Sequence, residues 1–102
     1  MKPTYRRMLQ GLKEKGAGTA PSSEPWFVYL VECNDGSLYT GITNDILRRV
    51  RKHNDGKGAS YTRTRRPVKL LYYERCANRS EALIRECAVK ALPRDKKLDL
   101  TR

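Results

Sequence analysis

Arg49 and His53 stand four residues apart in a segment that predicts a helix, so their side chains share one face of that helix. At about 100° per residue, Ile46 and Val50 form an apolar stripe, and the face that carries Arg49 and His53 borders this stripe. A side chain at such a border is held by the core and can still reach a ligand. Two ordinary boundary residues are the alternative interpretation.

Two tyrosines, Tyr29 and Tyr39, lie in segments that predict the two strands of a hairpin. A two-residue turn would place them on opposite faces of the sheet, whereas a three-residue loop at 34–36 would make them diagonal neighbours on one face. Gly36 stands where the longer loop needs a left-handed residue, so we predict that loop, with Tyr39 opposite Val31. By composition alone, two strand tyrosines are more typical of packing than of catalysis.

Glu86 interrupts the sequence of a second predicted helix, which is apolar enough that we expect it to be well buried. Two roles for its carboxylate remain open. It could pair with Lys90, four residues further on, or it could hold a metal ion, because a buried carboxylate is costly unless it is paired or coordinated.

The chain is strongly basic, with 22 Lys and Arg against 11 Asp and Glu and a net charge of +11. This balance is typical of proteins that bind polyanions, nucleic acid above all. Between residues 48 and 66 the only acid is Asp55, and a solvated loop is the alternative to a phosphate-binding surface there. We predict a surface for the nucleic-acid backbone, with a tyrosine that could stack on a base. Its residues are Arg48, Arg51, Lys52, Lys57, Tyr61, Arg63, Arg65 and Arg66.

Other site types find little support in the sequence. Cys33, Cys76 and Cys87 are far apart and, with the single His53, show no zinc-site spacing, so we predict three reduced thiols in a cytoplasmic protein. No apolar run approaches the ~18 residues of a membrane span. No apolar stretch follows the N-terminal basic residues, so a secretory signal is not predicted.

The elements that must position these residues fit one domain, which is all that 102 residues allow. Residues 1–25 contain a Gly-, Pro- and Ser-rich stretch and predict a flexible basic extension, and the domain spans 26–102. Strands are predicted at 27–33, at 37–40 with Gly41 ending the strand, and at 68–74. A polar, basic loop is predicted at 55–67.

Three helices complete the predicted order β-β-α-β-α-α. The first begins at a cap on Thr43 or Asn44 and ends near Asn54. The second opens at Asn78, with Glu81 at capping-box spacing, and ends near residue 92. A short charged helix is predicted at 94–100.

Together these residues resemble the GIY-YIG nuclease superfamily, and most closely its short single-domain bacterial members. The resemblance spans about residues 26–100 and includes the loop at 56–63. Each short motif is weak alone, and the ordered set with its spacing is strong. The motif residues are, in order, Phe27-Val28-Tyr29, Tyr39-Thr40-Gly41, Gly41-Ile42-Thr43, Arg49, His53 and Glu86.

The resemblance implies an α/β fold with a three-stranded antiparallel sheet flanked by helices, and a metal-dependent endonuclease that hydrolyses DNA phosphodiester bonds. Glu86 would hold Mg2+ or Mn2+, and Arg49 would pair with phosphate oxygens. Tyr29 would be the general base, Tyr39 would orient water or phosphate, and His53 would hydrogen-bond a tyrosine or assist proton transfer. Ionising a phenol at pH 7 costs ~4 kcal/mol, much of which Arg49 and the metal are expected to supply.

Three functions remain open. The first is an active endonuclease of DNA repair or processing that selects a DNA structure, because phosphate contacts carry no sequence information. The second is a catalytically weak or inactive nucleic-acid-binding module of the same fold, and the third is a scaffold within a larger nuclease complex. The chain has no asparagine after Asn78, where many of these nucleases carry one, which favours the second. DNA is the expected partner, with RNA as an alternative and with a protein partner supplying specificity.

Overall fold

A computed structural model describes residues 25–102. The predicted flexible extension, residues 1–25, lies outside the described residues except for Pro25 and stays a prediction. No helix in the described part is long and apolar enough to cross a membrane. The elements are β1 (Trp26–Glu32), β2 (Leu38–Thr43), α1 (Ile46–Asn54), α2 (Ser60–Arg63), β3 (Lys69–Cys76), α3 (Arg79–Lys90) and α4 (Arg94–Asp99).

The three strands form one antiparallel sheet in the order β2-β1-β3, which confirms the predicted fold class. β1 lies in the centre, and its residues 28–31 are all buried. Successive side chains of a strand point to opposite faces, so β1 serves two cores. One contains Tyr29 and Val31 with Ile46 and Val50 of α1, and the other contains Val28 with Ala82 and Val89 of α3.

The hairpin between β1 and β2 has the predicted three-residue loop. Gly36 has φ +84°, a left-handed conformation that favours glycine, and Val31 pairs with Tyr39. The prediction that Gly41 ends the second strand is wrong. Gly41 pairs with Tyr29 within the ladder, and β2 continues to Thr43, because the missing side chain leaves room for the Tyr29 ring.

The helices α1 and α3 begin at side-chain caps. Asn78 accepts a hydrogen bond from the Glu81 amide at 2.9 Å, as predicted for α3. The cap of α1 is Asp45, which accepts from the Arg48 amide at 3.1 Å, so the predicted cap on Thr43 or Asn44 is wrong. The Thr43 hydroxyl instead accepts from the Asp45 amide.

Two other expectations are corrected. The predicted loop at 55–67 contains the short helix α2. The expectation that α3 is well buried is also wrong, since only Ala82 and Val89 are buried along it and Ile84 is 71 % exposed. α3 has more apolar residues than the one side that packs on the sheet can bury. Within residues 25–102 its outer side faces solvent.

Candidate active site

The Tyr29 hydroxyl is the centre of a hydrogen-bonded cluster. It lies 2.8 Å from Nε2 of His53 and accepts a hydrogen bond from Nε of Arg49 at 3.3 Å. β1 holds the tyrosine in the core, where it is 1 % exposed. α1 supplies the other two side chains together, because residues four apart share a helix face. The structure thus brings three of the predicted site residues into contact.

Gly41 of β2 leaves the space that the Tyr29 side chain fills. A Cβ at this position would lie 2.5 Å from the Tyr29 oxygen and 2.7 Å from Cζ. Gly58, which precedes α2, leaves room for His53 in the same way, since a Cβ there would collide with Nδ1 of the imidazole. The two glycines therefore leave the space that the Tyr29 side chain and the His53 imidazole occupy.

Thr62 is a site residue that the sequence analysis missed. Its hydroxyl lies 2.7 Å from Nδ1 of His53 and donates to the carbonyl oxygen of Ala59 at 3.0 Å. Both His53 and Thr62 are 0 % exposed. Their separation of nine residues fits no helix or strand period, and a threonine in a polar segment carries no signal of its own. Only the fold of α2 against α1 reveals the contact.

Burial controls the pKa of both titratable groups at the centre of the cluster. It lowers the pKa of His53 to about 4, with help from the nearby positive charge of Arg49. It raises the pKa of Tyr29 to about 12, and the opposing hydrogen bond and charge of Arg49 are weaker. At pH 7 the imidazole is therefore neutral, and ionising the phenol costs about 7 kcal/mol. Arg49 alone does not offset the effect of burial on the pKa of Tyr29, and the joint contribution expected of Arg49 and a metal ion stays a prediction.

Tyr39 lies beside this cluster on the same face of the sheet. Its ring centroid is 6.5 Å from that of Tyr29 and 5.4 Å from the imidazole of His53, which it meets edge-on. The adjacent tyrosines predicted from the loop length are thus confirmed. On its other side Tyr39 stacks on Tyr61 at 6.0 Å with the rings 22° apart.

The Tyr61 ring has two neighbours. Tyr39 stacks on it, and the guanidinium of Arg65 lies over the ring, 3.9 Å from its centroid. Arg65 is held there by Asp35, whose carboxylate accepts from its Nε at 3.1 Å. Tyr61 remains 39 % exposed, so part of its side chain is open to a ligand. Arg65 and Tyr39 compete with a nucleic-acid base for stacking on this ring.

Glu86 lies on α3, which packs across β1 and β2. Its side chain is 16 % exposed, and its carboxylate is 3.5 Å from Nζ of Lys90, so the predicted ion pair forms. The charge of Glu86 also reaches the site, since it is among the minor causes that raise the pKa of Tyr29 after burial.

A divalent cation can be tested against this arrangement. Residues 25–102 contain no cluster of three or more His, Cys, Asp or Glu side chains that would form a cage for a metal. Mg2+ commonly binds one or two carboxylates and completes its shell with water and substrate phosphates. The largely buried carboxylate of Glu86 has one lysine partner and fits that kind of site.

The predicted nucleic-acid surface divides into two parts. Arg65 is paired with Asp35, and Arg66 donates to the carbonyl oxygens of Arg63 and Asn54, so these two arginines also brace the loop. The others are exposed and take part in none of the ion pairs found within residues 25–102. They are Arg48, Arg51, Lys52, Lys57 and Arg63.

The lowered pKa of His53 predicts a pH-dependent stability. The unfolded chain takes up a proton near pH 6.5 and the folded protein only near pH 4. The contribution of His53 is therefore complete above pH 6.5 and is lost as pH falls through this window. Between about pH 7 and pH 5, we expect the free energy of unfolding in urea to fall by about 2 kcal/mol from this residue.

His53→Gln provides the control for that measurement, because glutamine does not titrate. The carboxyl groups of Glu74 and Asp35 have lowered pKa values, and their contributions to the free energy of unfolding are lost only below about pH 4.5. An equal loss of stability in His53→Gln between about pH 7 and pH 5 would contradict the assignment.

Comparison with known proteins identifies the family of the chain. The family model described as the GIY-YIG catalytic domain matches residues 25–99. A UPF0213 protein of Desulfotalea psychrophila is 56 % identical over 78 residues, covering 76 % of this chain and 71 % of that one. A UPF0213 protein of Staphylococcus epidermidis is 57 % identical over 74 residues, covering 72 % and 90 %.

A solved structure supports the same fold. The solution NMR structure of a protein from E. faecalis is 40 % identical, covers 74 % of this chain and 80 % of that one, and superposes with a TM-score of 0.52. The match of the family model covers the sheet and all the site residues. The chain therefore belongs to the GIY-YIG nuclease superfamily.

Proposed function

We propose that the protein is a metal-dependent endonuclease that hydrolyses DNA phosphodiester bonds. The observation that carries the proposal is the Tyr29 hydroxyl, held between a cation, Arg49, and a neutral imidazole, His53. A buried phenol with a proton acceptor on one side and a guanidinium on the other can take up a proton from water beside a phosphate anion that the guanidinium binds. The family to which the chain belongs acts on DNA, which supports the substrate.

The chemistry follows from the atoms around Tyr29. As water attacks phosphorus and the bond from phosphorus to the leaving oxygen breaks, the phenol oxygen accepts one proton from the water while the phenol proton passes to Nε2 of His53. The phenolate with its high pKa is then never a separate species, since one O–H bond forms as the other breaks. His53 holds the extra proton only during the step, because burial and the charge of Arg49 lower the pKa of its imidazole. The Arg49 guanidinium pairs with the non-bridging oxygens and neutralises the charge that develops on them. Tyr39 orients the water or the phosphate beside this pair.

Glu86 is the residue that would hold the cation, Mg2+ or Mn2+. When bound, such an ion polarises the scissile phosphate and stabilises the leaving oxygen. The single carboxylate implies that the substrate supplies further ligands, so the ion and DNA should bind together.

The substrate is selected by shape in this proposal. The exposed cations of α1 and of the following loop contact the phosphate backbone, and such contacts carry no base sequence. A role in DNA repair or processing, at a branch, a flap or a single strand, suits that kind of selection. A partner protein could add specificity. The three free cysteines support a location in the reducing cytoplasm.

A binding module without cleavage is the second candidate. The ion pair between Glu86 and Lys90 favours it, because a carboxylate satisfied by a lysine has no need of a metal. The raised pKa of Tyr29 favours it as well. Both candidates use the same basic surface, and only a cleavage assay separates them.

Isotope transfer tests hydrolysis directly. Labelled DNA is incubated with the protein and Mg2+ in H2(18O), and the products are analysed by mass spectrometry. Hydrolysis by water places one solvent oxygen in the product phosphate, and a chelator should prevent it. Products without solvent oxygen, or an absence of products in Mg2+ and in Mn2+, would contradict the proposal.

The basic surface predicts a steep salt dependence of DNA binding. Arg51→Gln and Lys52→Gln each remove a side chain that contacts phosphate in this proposal. Each substitution should reduce the slope of log K against log salt by about 1. Fluorescence anisotropy in chelator measures this without cleavage. Arg94→Gln on α4 is the matched control and should leave the slope unchanged. Equal slopes for all variants would place the DNA elsewhere.

A further inference from the structure

The hydrogen bonds behind Tyr29 form a chain whose direction can be assigned. It runs from Tyr29 through His53 and Thr62 to the backbone carbonyl of Ala59. The Thr62 hydroxyl has one proton, and its geometry gives that proton to the carbonyl oxygen of Ala59, which lies 3.0 Å away and can only accept. The Thr62 oxygen then accepts, and the proton between it and the imidazole belongs to Nδ1 of His53.

The direction of the rest of the chain follows from that proton. A neutral imidazole carries one N–H, so with Nδ1 protonated Nε2 is an acceptor. The Tyr29 hydroxyl therefore donates to Nε2, and its oxygen lone pairs remain for the Nε–H of Arg49 and for one further donor. In the opposite direction, Nε2–H would donate to Tyr29, the oxygen would receive two donors, and His53 could not take its proton.

We propose that Thr62 is a positioning residue that fixes the tautomer of His53, so that the imidazole accepts the Tyr29 proton and the phenol oxygen accepts one from water. This inference rests on the proposed function, in which Tyr29 receives the water proton. Thr62 touches neither water nor DNA in this account and acts only through His53.

The surroundings of the chain hold this arrangement in place. Thr62 and His53 are fully buried, so solvent does not compete for Nδ1. The amide of Thr62 bonds to the carbonyl of Ala59 at 3.1 Å, which fixes the hydroxyl over that oxygen. Gly58 lies against the imidazole, since a Cβ at this position would collide with Nδ1. The tautomer is thus set by one short helix, α2.

Nitrogen NMR of the imidazole tests the assignment on the folded protein, without DNA or metal. His53 is the only histidine of the chain, so an untagged, 15N-labelled sample gives one set of imidazole signals. We expect a protonated Nδ1 and an unprotonated Nε2 in the wild type and in Thr62→Ser. Thr62→Val keeps the shape but removes the acceptor, and should shift the population toward the Nε2–H tautomer. An Nε2–H tautomer in the wild type, or an unchanged spectrum in Thr62→Val, would overturn the proposal.

Cleavage rates supply a second readout. We expect the single-turnover rate of Thr62→Val to be about 10²-fold below that of the wild type, the lower end of the effect of losing a general base. Its affinity for DNA should be unchanged. Thr62→Ser should recover most of the rate. If Thr62→Val unfolds, the wild-type and Thr62→Ser spectra still decide the tautomer. If the wild type cuts no DNA, the nuclease proposal fails, and the NMR result alone then supports or overturns the role of Thr62.

Discussion

Replacing Glu86 by glutamine should reduce Mg2+-dependent cleavage by about 10³-fold or more, because a cation that stabilises charge at phosphorus contributes several kcal/mol. Glutamine keeps the size of the side chain and removes the charge that attracts the ion. DNA binding in chelator should survive, since the basic surface lies on α1 and the following loop. Single-turnover rates with protein in excess, over a range of Mg2+ concentrations, measure the effect.

Lys90→Gln is the matched control, because it breaks the same 3.5 Å ion pair from the other side. If the pair only stabilises α3, the two variants should behave alike, and the effect on stability should be small, as for a partly exposed pair. If Glu86 holds a metal, Lys90→Gln should cut at close to the wild-type rate. Equal and large losses in both variants would show that the ion pair, and not metal binding, is what matters.

Tyr29→Phe should lower the single-turnover rate by about 10²–10⁴-fold, the range of a general base. The change leaves Nε2 of His53 and Nε of Arg49 without their buried partner, so the free energy of unfolding should also fall by about 1–3 kcal/mol. A urea titration confirms that the variant remains folded at the assay temperature. Affinity for DNA in chelator should not change.

Tyr73→Phe controls for the loss of a tyrosine hydroxyl from the sheet. Tyr73 lies directly opposite Tyr29 on β3 and packs edge-on against Phe27, outside the hydrogen-bonded cluster. This variant should retain both the rate and the stability of the wild type. Cleavage by Tyr29→Phe at the rate of Tyr73→Phe would remove Tyr29 from the mechanism.

Local patterns were sufficient for the sheet and for part of the site. The length of the 34–36 loop and the glycine at its end fix the register, and the register alone makes Tyr29 and Tyr39 neighbours. Helix periodicity places Arg49 and His53 side by side in the same way. The capping pair of Asn78 and Glu81 locates the start of α3. In each case the interacting residues are close in sequence, and local geometry determines their distance.

Features that depend on how deeply a side chain is buried, or on contacts between separate elements, could not be predicted from the sequence. Whether burial or Arg49 controls the pKa of Tyr29 depends on how much of the chain covers the ring, which periodicity does not report. The contact between His53 and Thr62 requires α2 to fold back against α1. The exposure of Ile84 was missed for a related reason, since an apolar helix face does not reveal whether another element covers it.

Cleavage and binding, measured on one panel of DNA structures, test directly whether the protein is a metal-dependent nuclease. Labelled single-stranded, duplex and branched DNA are each incubated with excess protein in Mg2+, in Mn2+ and in chelator, and binding and scission are read from the same samples. We expect binding in all three conditions and scission only with a metal, on a preferred structure. Saturated binding without scission of any substrate would contradict the nuclease proposal and establish the protein as a binding module.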